Sequence, residues 1–281
     1  MFLFCLTSAS LERTVPPKPK NSRKPQPQGK TAPNAAPGHP IRIVPLHPGT
    51  AQLAAPPVSA KLTYRQGPLL TSVQVFTIFW GAAWQQTPQN ELLTRLNGFF
   101  DHILASELMD QLAECSVPGQ KIGRGVLIGT TTLLADAPSK TVEDSAIQQM
   151  IQTQISTRVL PATTPNSLYF VFLPPGVQVI QGGSASCKVF CGYHDAINNS
   201  IFYAVMPYPS CPGCLGGLAE FDALTSTTSH ELCEAITDPI PGQGWYDDAN
   251  GEIGDICSWK TRTLGGYTIQ LEWSNKANSC V

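Results

Sequence analysis

The 281-residue chain is poor in charge, and its few charges are unevenly distributed. Only 14% of the residues are Asp, Glu, Lys or Arg, which argues against a coiled coil or a charged helical bundle. Residues 1–58 contain one acidic residue, Glu12, but 12 of the 25 prolines and 7 of the 18 basic residues. The remaining 223 residues hold 11 basic and 19 acidic residues. A basic segment of net charge +6 therefore precedes an acidic body of net charge −8.

Two further absences narrow the range of functions. The body has no basic stripe, so we expect no nucleic-acid partner. The longest apolar stretch, residues 73–84, is interrupted by Gln74 and Thr77. It is shorter than the roughly 20 residues that a membrane-spanning helix needs, so we expect no transmembrane span.

Residues 1–58 have too little apolar surface to offset the entropy that ordering would cost. Their Pro-, Lys-, Gln- and Ala-rich composition predicts a disordered, partly polyproline segment, and residues 59–281 are predicted to form a single domain. Residues 1–6 are apolar, but a basic n-region does not precede them. They are either an incomplete signal peptide or an ordinary disordered terminus.

Eight of the nine cysteines lie in the body, an even number that is typical of an exported, disulfide-bonded domain. Cys187, Cys191, Cys211 and Cys214 lie in Gly-, Pro- and Ser-rich segments, where crosslinks stabilise most. We predict disulfides here. The alternative is a structural zinc site formed by these four cysteines, or by three of them with His194. The cysteine usage and the apolar N-terminus together indicate a secreted protein.

The hydrophobic pattern alternates strands and helices before an irregular, Gly-rich C-terminal part. Strands are predicted at residues 69–80, 123–134, 168–174, 200–206 and 267–273, and helices at 90–113, from 141 onward, and at 221–237. This order resembles that of zincin metallopeptidases. We predict an α+β, zincin-like fold with a mixed sheet, an active-site helix and a disulfide-containing C-terminal part.

The helix at residues 221–237 carries a motif with chemical meaning. His230 and Glu234 are four residues apart, and each residue turns a helix by about 100°, so both side chains lie on one face. Zinc-binding His-Glu-x-x-His helices use this spacing, and here Glu234 replaces the second histidine. Glu231 takes the place of the general base that acts on metal-bound water. We expect His230 and Glu234 to face a cleft as metal ligands, with Glu231 as the catalytic residue.

An acidic loop after this helix offers a third metal ligand. Glu252 and Asp255 follow His230 by 22 and 25 residues. Glutamate-type zincins place a ligand glutamate and an orienting aspartate at a similar distance, and the spacing leaves open which residue is the ligand here. We predict one Zn²⁺ per chain. Ca²⁺ bound by the oxygen-rich residues 247–251 is the alternative.

These motifs together resemble the conserved region of EXORDIUM-like, phosphate-induced proteins of plants and their bacterial relatives. The resemblance runs from Leu62-Thr-Tyr-Arg-Gln-Gly-Pro through Cys191-Gly-Tyr-His194 and Cys211-Pro-Gly-Cys214 to His230-Glu-Leu-Cys-Glu-Ala-Ile-Thr-Asp-Pro and Glu252-Ile-Gly-Asp-Ile-Cys257. It covers most of residues 60–275 and implies an extracellular or cell-wall protein. It supplies no biochemical activity. The chain departs from the pattern by Cys233 and by its C-terminus.

Two functional hypotheses follow. The first is an exported zinc hydrolase, in which metal-activated water attacks a peptide carbonyl. The second is a non-catalytic extracellular protein whose zincin-like scaffold holds a structural metal. The second gains weight from the donor set, since two carboxylates and one histidine leave more negative charge on the metal than two histidines would. Peptides or a cell-surface polymer are the expected partners.

Overall fold

The computed structural model describes residues 43–49, 60–135 and 137–281, and its central element is a six-stranded mixed sheet. The strands are β1 (Ile43–Pro45), β2 (Thr63–Tyr64), β3 (Gln74–Trp80), β4 (Val126–Leu133), β5 (Thr141–Glu143), β6 (Ser167–Phe172), β7 (Gln178–Gln181), β8 (Ser184–Ala185), β9 (Phe190–Ile197), β10 (Ile201–Met206), β11 (Trp245–Tyr246), β12 (Thr261–Leu264), β13 (Tyr267–Gln270), β14 (Trp273–Ser274) and β15 (Ser279–Cys280). The α-helices are α1 (Gln89–Ile103), α2 (Glu107–Leu112), α3 (Asp144–Ser156), α4 (Pro212–Leu215) and α5 (Glu220–Thr237).

The main sheet has the order β1-β9-β10-β6-β3-β4. Strands β10, β6, β3 and β4 are mutually parallel, whereas β9 is antiparallel to β10 and β1 is antiparallel to β9. The antiparallel strand β9 lies beside the parallel strands and packs against α5. The result is a mixed sheet, as the sequence predicts.

Helices cover both faces of this sheet. Strand β6 is buried along its whole length, as a central strand between two helical layers should be. Phe170 and Phe172 point towards α1, α2 and α5, whereas Tyr169 and Val171 point towards α3. The sheet therefore separates two apolar cores.

The C-terminal part closes over the outer side of α5. Thr225 on α5 donates its hydroxyl to the carbonyl of Thr268 on β13, at 2.7 Å, and the backbone amide of Gln270 donates to the Ser229 hydroxyl, at 2.9 Å. These bonds hold the β12–β13 hairpin on the Ser/Thr side of the helix. Helix α5 consequently lies between the sheet and the hairpin.

Three disulfides crosslink the body and confirm the prediction made for the cysteines. They join Cys187 to Cys211, Cys191 to Cys214, and Cys257 to Cys280. The structure favours the disulfides over the alternative zinc site, because all four cysteines are paired, although Cys187, Cys211 and Cys214 lie close enough together to form a metal-capable group. Cys115 and Cys233 are buried free thiols.

The structure corrects the predicted elements in three places. The helix predicted at 90–113 is two helices, because Ser106 caps a second one by accepting from the Leu108 amide. Residues 141–143 are strand β5 rather than the first turn of a helix. Strand β9 is missing from the sequence prediction, since its Cys, Gly, His and Asp residues obscure the alternation.

The predicted disordered segment is corrected at Ile43–Pro45, which form a strand on β9. The short apolar run Ile43-Val44 can extend a sheet edge, although the composition around it is that of a linker. Apart from residues 43–49, the segment 1–58 lies outside the described residues, so the domain boundary at 58 stays a prediction. Within the described ranges, no helix combines the length and apolar character needed to cross a bilayer.

Candidate metal centre

Helix α5 carries the predicted metal ligands at its buried centre. Every residue from Ala223 to Thr237 is buried, and His230, Glu231 and Glu234 have no exposed surface. The expectation that these side chains face an open cleft is wrong. A helical pattern identifies a polar face, but it does not show that a distant segment packs on that face.

His194 on β9 lies beside two glutamates of α5. Its Nδ1 is 3.0 Å from Glu231 Oε2 and 3.6 Å from Glu234 Oε2. Its Nε2 donates to the backbone carbonyl of Asp238, at 3.2 Å. This bond puts a proton on Nε2, so a neutral ring directs the Nδ1 lone pair at two carboxylates. Either a proton or a metal ion must lie between these atoms.

His230 forms a second set with Glu234 and Asp255. Its Nε2 is 2.9 Å from Glu234 Oε1 and 4.0 Å from Asp255 Oδ1. Despite the short distance to Glu234, Nε2 has no hydrogen-bond partner, so the ring does not aim a proton at that oxygen. An imidazole nitrogen and a carboxylate oxygen are both zinc ligands, so a cation could satisfy these two atoms together.

The two sets meet at Glu234. His194, Glu231 and Glu234 form one group whose ligand atoms all lie within 4.8 Å of one another, and His230, Glu234 and Asp255 form the other. Of the two residues predicted as alternative third ligands, Asp255 belongs to a group. Glu252 lies on the other side of His194, with its Oε1 3.5 Å from Nε2.

Several buried polar atoms of this cluster lack hydrogen-bond partners. They are His230 Nε2, Glu231 Oε1, Glu234 Oε2 and both carboxylate oxygens of Glu252. Each unsatisfied buried group costs about 1–3 kcal/mol, and more when it is charged. Carboxylates and imidazoles concentrated in this way form a donor set that a divalent cation satisfies.

The electrostatics of the cluster are dominated by burial and by mutual proximity. Burial raises the pKa of Glu231, and the bond from His194 offsets only part of that shift. Burial and the neighbouring Glu234 raise the pKa of Asp255 well above its usual range. For His194, burial alone would lower the pKa, but the Glu252 and Glu231 carboxylates outweigh it and raise the pKa well above its usual range.

The ion pairs that arginines form in the described part of the chain do not involve these carboxylates. Among the residues that the structure describes, arginine ion pairs join Arg65 to Asp248, Arg124 to Asp110 and Arg262 to Glu107, all outside the cluster. The buried acids therefore depend on protons, on the two histidines or on bound cations. A buried unpaired carboxylate is costly enough that one of these must be present.

Two glycines allow neighbouring segments to reach the cluster. A Cβ at Gly192 on β9 would lie 2.7 Å from Thr227 Cγ2 and 3.3 Å from Glu231 Oε1. A Cβ at Gly254 would lie 2.8 Å from His230 Nδ1 and 3.0 Å from Glu234 Oε1. Any larger residue would push the strand or the covering loop away from α5.

The amide of Gln270 on β13 fixes the ring of His230. Its Nε2 lies 2.7 Å from His230 Nδ1 and donates to the Gly254 carbonyl, at 2.9 Å. Its Oε1 accepts from the Trp259 backbone amide, at 3.1 Å. With the amide nitrogen towards the ring, a neutral His230 carries its proton on Nε2.

Two other buried acids lie near the cluster. Asp238, just after α5, accepts backbone amides of Gly242 and Gln243, at 2.6 and 2.9 Å. It therefore shapes the turn whose carbonyl orients His194. Glu272 is fully buried, and burial raises its pKa well above the usual range.

His194 and Gln270 are the residues that sequence reasoning missed. His194 entered only in the alternative cysteine–zinc site and in the resemblance motif Cys191-Gly-Tyr-His194, and Gln270 did not enter at all. The signal for His194 was that the body contains only three histidines, of which two lie in this cluster. The contact between His194 and Glu231 spans 37 residues, a distance that local patterns do not bridge.

In the loop predicted as the alternative calcium site, the Asp247 carboxylate accepts hydrogen bonds from backbone amides. Asp247 Oδ1 accepts from the Ala249 and Asn250 backbone amides, and its Oδ2 accepts from the Lys61 amide at 2.6 Å. The loop thus uses its first carboxylate to hold its own turn and the segment before β2. Among the described residues, the metal-capable groups do not include Asp247.

Comparison of the chain with protein-family models and with curated proteins gives no match.

Proposed function

We propose that this chain is an exported, non-catalytic metal-binding protein in which a divalent ion, zinc in the first instance, fastens the C-terminal part to α5 and β9. The ligands are His194 Nδ1, Glu231 Oε2 and Glu234 Oε2. The observation that carries the proposal is the direction of the His194 ring. Its Nε2 donates to the Asp238 carbonyl, so Nδ1, which faces two carboxylates, is the ring atom that can exchange a proton for a metal ion.

Ligand chemistry and geometry support this assignment. Zinc accepts imidazole nitrogen and carboxylate oxygen at about 2.0–2.2 Å, so neighbouring ligand atoms lie a little over 3 Å apart. The separations of 3.0 and 3.6 Å around His194 Nδ1 agree with that spacing. A ligating histidine usually donates its other ring N–H to a carbonyl or carboxylate, as His194 does.

Burial favours a structural role over hydrolysis. Three protein ligands leave a fourth coordination position for water, but a catalytic zinc site also needs that position open to substrate. Here His194, His230, Glu231 and Glu234 have no exposed surface, and the backbone at Gly254 lies against the cluster. In this proposal Glu231 is therefore a ligand and not the general base that its sequence position suggests.

An extracellular location is part of the proposal. It is supported by the three disulfides and by the resemblance to EXORDIUM-like proteins. A zincin-like fold agrees with the mixed sheet and with the helix that follows it. A peptide or a cell-surface polymer stays the expected class of partner.

Elemental analysis of purified protein tests the metal. We expect at least one equivalent of zinc in the wild-type protein, and its loss in His194→Ala. His102→Ala is the matched control, since His102 lies on α1 outside the cluster, and should keep the metal. Wild-type protein that is folded, has been offered zinc and retains none would overturn the proposal.

Glu231→Gln separates ligand from catalytic base. A ligand role predicts loss of zinc and a lower melting temperature, because an amide oxygen is a weaker ligand than a carboxylate. A general-base role predicts that zinc stays and that hydrolysis of a peptide library, present in the wild type, disappears. The second outcome would restore the peptidase hypothesis.

A further inference from the structure

Glu234 belongs to both histidine-containing metal-capable groups of the described part of the chain, and the third such group consists of disulfide-bonded cysteines. Its Oε2 is on the side of His194 Nδ1, at 3.6 Å, and its Oε1 is on the side of His230 Nε2, at 2.9 Å. The two oxygens of one carboxylate thus serve two different histidines. A carboxylate used in this way bridges the ions of a two-metal site, which lie about 3.5–4 Å apart.

We infer that the centre is dinuclear: a second divalent ion binds to His230, Glu234 and Asp255, and Glu234 bridges the two ions. This inference rests on the proposed function, since it adds an ion beside the one at His194. The third ligand of the second position is the Asp255 carboxylate, 4.0 Å from His230 Nε2.

Unpaired buried atoms at the second position support it independently. His230 Nε2 has no hydrogen-bond partner although it is 2.9 Å from a carboxylate oxygen. His230 and Glu234 are fully buried, so water does not satisfy them from the surface. An ion between them would replace a poor contact with two coordination bonds.

Charge balance points in the same direction. Four carboxylates belong to the two groups or contact their histidines: Glu231, Glu234, Glu252 and Asp255. Their full ionisation gives a charge of −4, and none of them is paired with a lysine or arginine in the described residues. One divalent ion would leave two buried negative charges to be balanced by protons or by a protonated His230, whereas two ions neutralise all four.

Binding at the second position requires a change at Gln270. A metal on His230 Nε2 needs the ring proton on Nδ1, and Nδ1 must then donate to an acceptor. The Gln270 amide nitrogen now lies 2.7 Å from Nδ1, so the amide must turn to present its oxygen. This rotation replaces the bonds of the Gln270 amide to Gly254 and Trp259 with one bond to His230. Because of this loss, we expect the second ion to bind more weakly than the first.

Zinc titration of the full chain after removal of metal by a chelator tests the inference. We expect two equivalents to bind, the second with lower affinity. Asp255→Asn should bind one equivalent, and Glu234→Gln should bind none tightly. Glu91→Gln on α1, an exposed glutamate, is the control and should bind two.

The outcomes separate the two proposals. No bound zinc in the wild-type protein overturns both. One equivalent, unchanged in Asp255→Asn, overturns the dinuclear centre and leaves the single site at His194. Because Asp255→Asn could unfold the covering loop, a second measurement uses wild-type protein loaded with Co²⁺. Its electron paramagnetic resonance should show two coupled ions, and a spectrum of isolated Co²⁺ ions would contradict the bridge.

Discussion

Helices α1 and α5 pack on the same face of the sheet but bury different chemistry. The buried residues of α1 are all apolar, namely Leu92, Leu96, Phe99, Phe100 and Ile103, and Asn97 accepts from the Thr77 hydroxyl on β3. In α5 the buried stretch runs without interruption from Ala223 to Thr237 and includes a histidine and two glutamates. Hydrophobic periodicity accounts for the buried residues of α1. The burial of α5 is explained only when partners are found for its buried polar groups.

The largest expected effect comes from removing the shared carboxylate of α5. Glu234→Gln should abolish metal binding and destabilise the metal-loaded protein by about 4 kcal/mol, the linkage expected when a ligand is present at about 1,000 times its dissociation constant. Thermal unfolding with and without a chelator measures this. Glu91→Gln on α1 should change the unfolding free energy by less than about 0.5 kcal/mol. Equal effects of the two substitutions would remove the distinction between the helices.

The disulfide next to Asp255 should matter more to the metal than a disulfide elsewhere. Replacing Cys257 and Cys280 by alanine should cost about 3 kcal/mol from loop entropy and also weaken metal binding, because it releases the loop that carries Asp255. Replacing Cys187 and Cys211 opens a loop of nearly equal length, separated by 24 rather than 23 residues. That control should lose similar stability and keep its metal. Calorimetry and zinc analysis of both variants decide the point.

The pH dependence of stability should change sign when metal is removed. In the metal-free protein, burial raises the pKa of Glu231 and Asp255 above their unfolded values. The native state then binds more protons, so stability is highest below about pH 4 and falls as pH rises through the folded pKa, by up to about 1.4 kcal/mol per pH unit for each proton. With metal bound, ligands must be deprotonated, so stability should rise over the same range.

Denaturant unfolding at a series of pH values, with zinc and with a chelator, measures both slopes. The raised pKa of His194 acts in the same direction as the carboxylates in the metal-free protein. Parallel slopes in the two conditions would show that protons, not metal, neutralise the cluster.

A single methyl group on the covering loop should disturb α5. Gly254→Ala places a Cβ 2.8 Å from His230 Nδ1, and such overpacking costs about 1–3 kcal/mol. Gly123→Ala is the control, because its Cβ would meet only the Thr71 carbonyl, at 3.7 Å. Chemical unfolding should distinguish the two variants, and an unperturbed Gly254→Ala protein would mean that the loop is not seated on the cluster.

The smallest effect is expected at the free thiols. Burial raises the pKa of Cys115 to about 12, so the thiolate that reacts with iodoacetamide is scarce at neutral pH. Mass spectrometry of the native protein should find Cys115 and Cys233 unmodified, and both should be alkylated after unfolding. Rapid native modification would contradict the burial of these two thiols.

Sequence reasoning predicted the mixed α+β fold and placed His230 and Glu234 together on a helix, because both depend on local periodicity. It missed His194, whose position depends on the pairing of His194 with Ala204 in the sheet. It also expected a cleft, because His230 and Glu234 lie on one polar face of the helix. In the folded chain that face is bonded to β13, and only tertiary packing supplies this information.

Anomalous diffraction at the zinc absorption edge, from crystals of zinc-loaded protein, tests the central claim most directly. We predict a peak between His194 Nδ1, Glu231 and Glu234, with a second, weaker peak across Glu234 beside His230 and Asp255. Crystals that contain zinc but show no peak among these residues would contradict the assignment of this cluster as a metal centre.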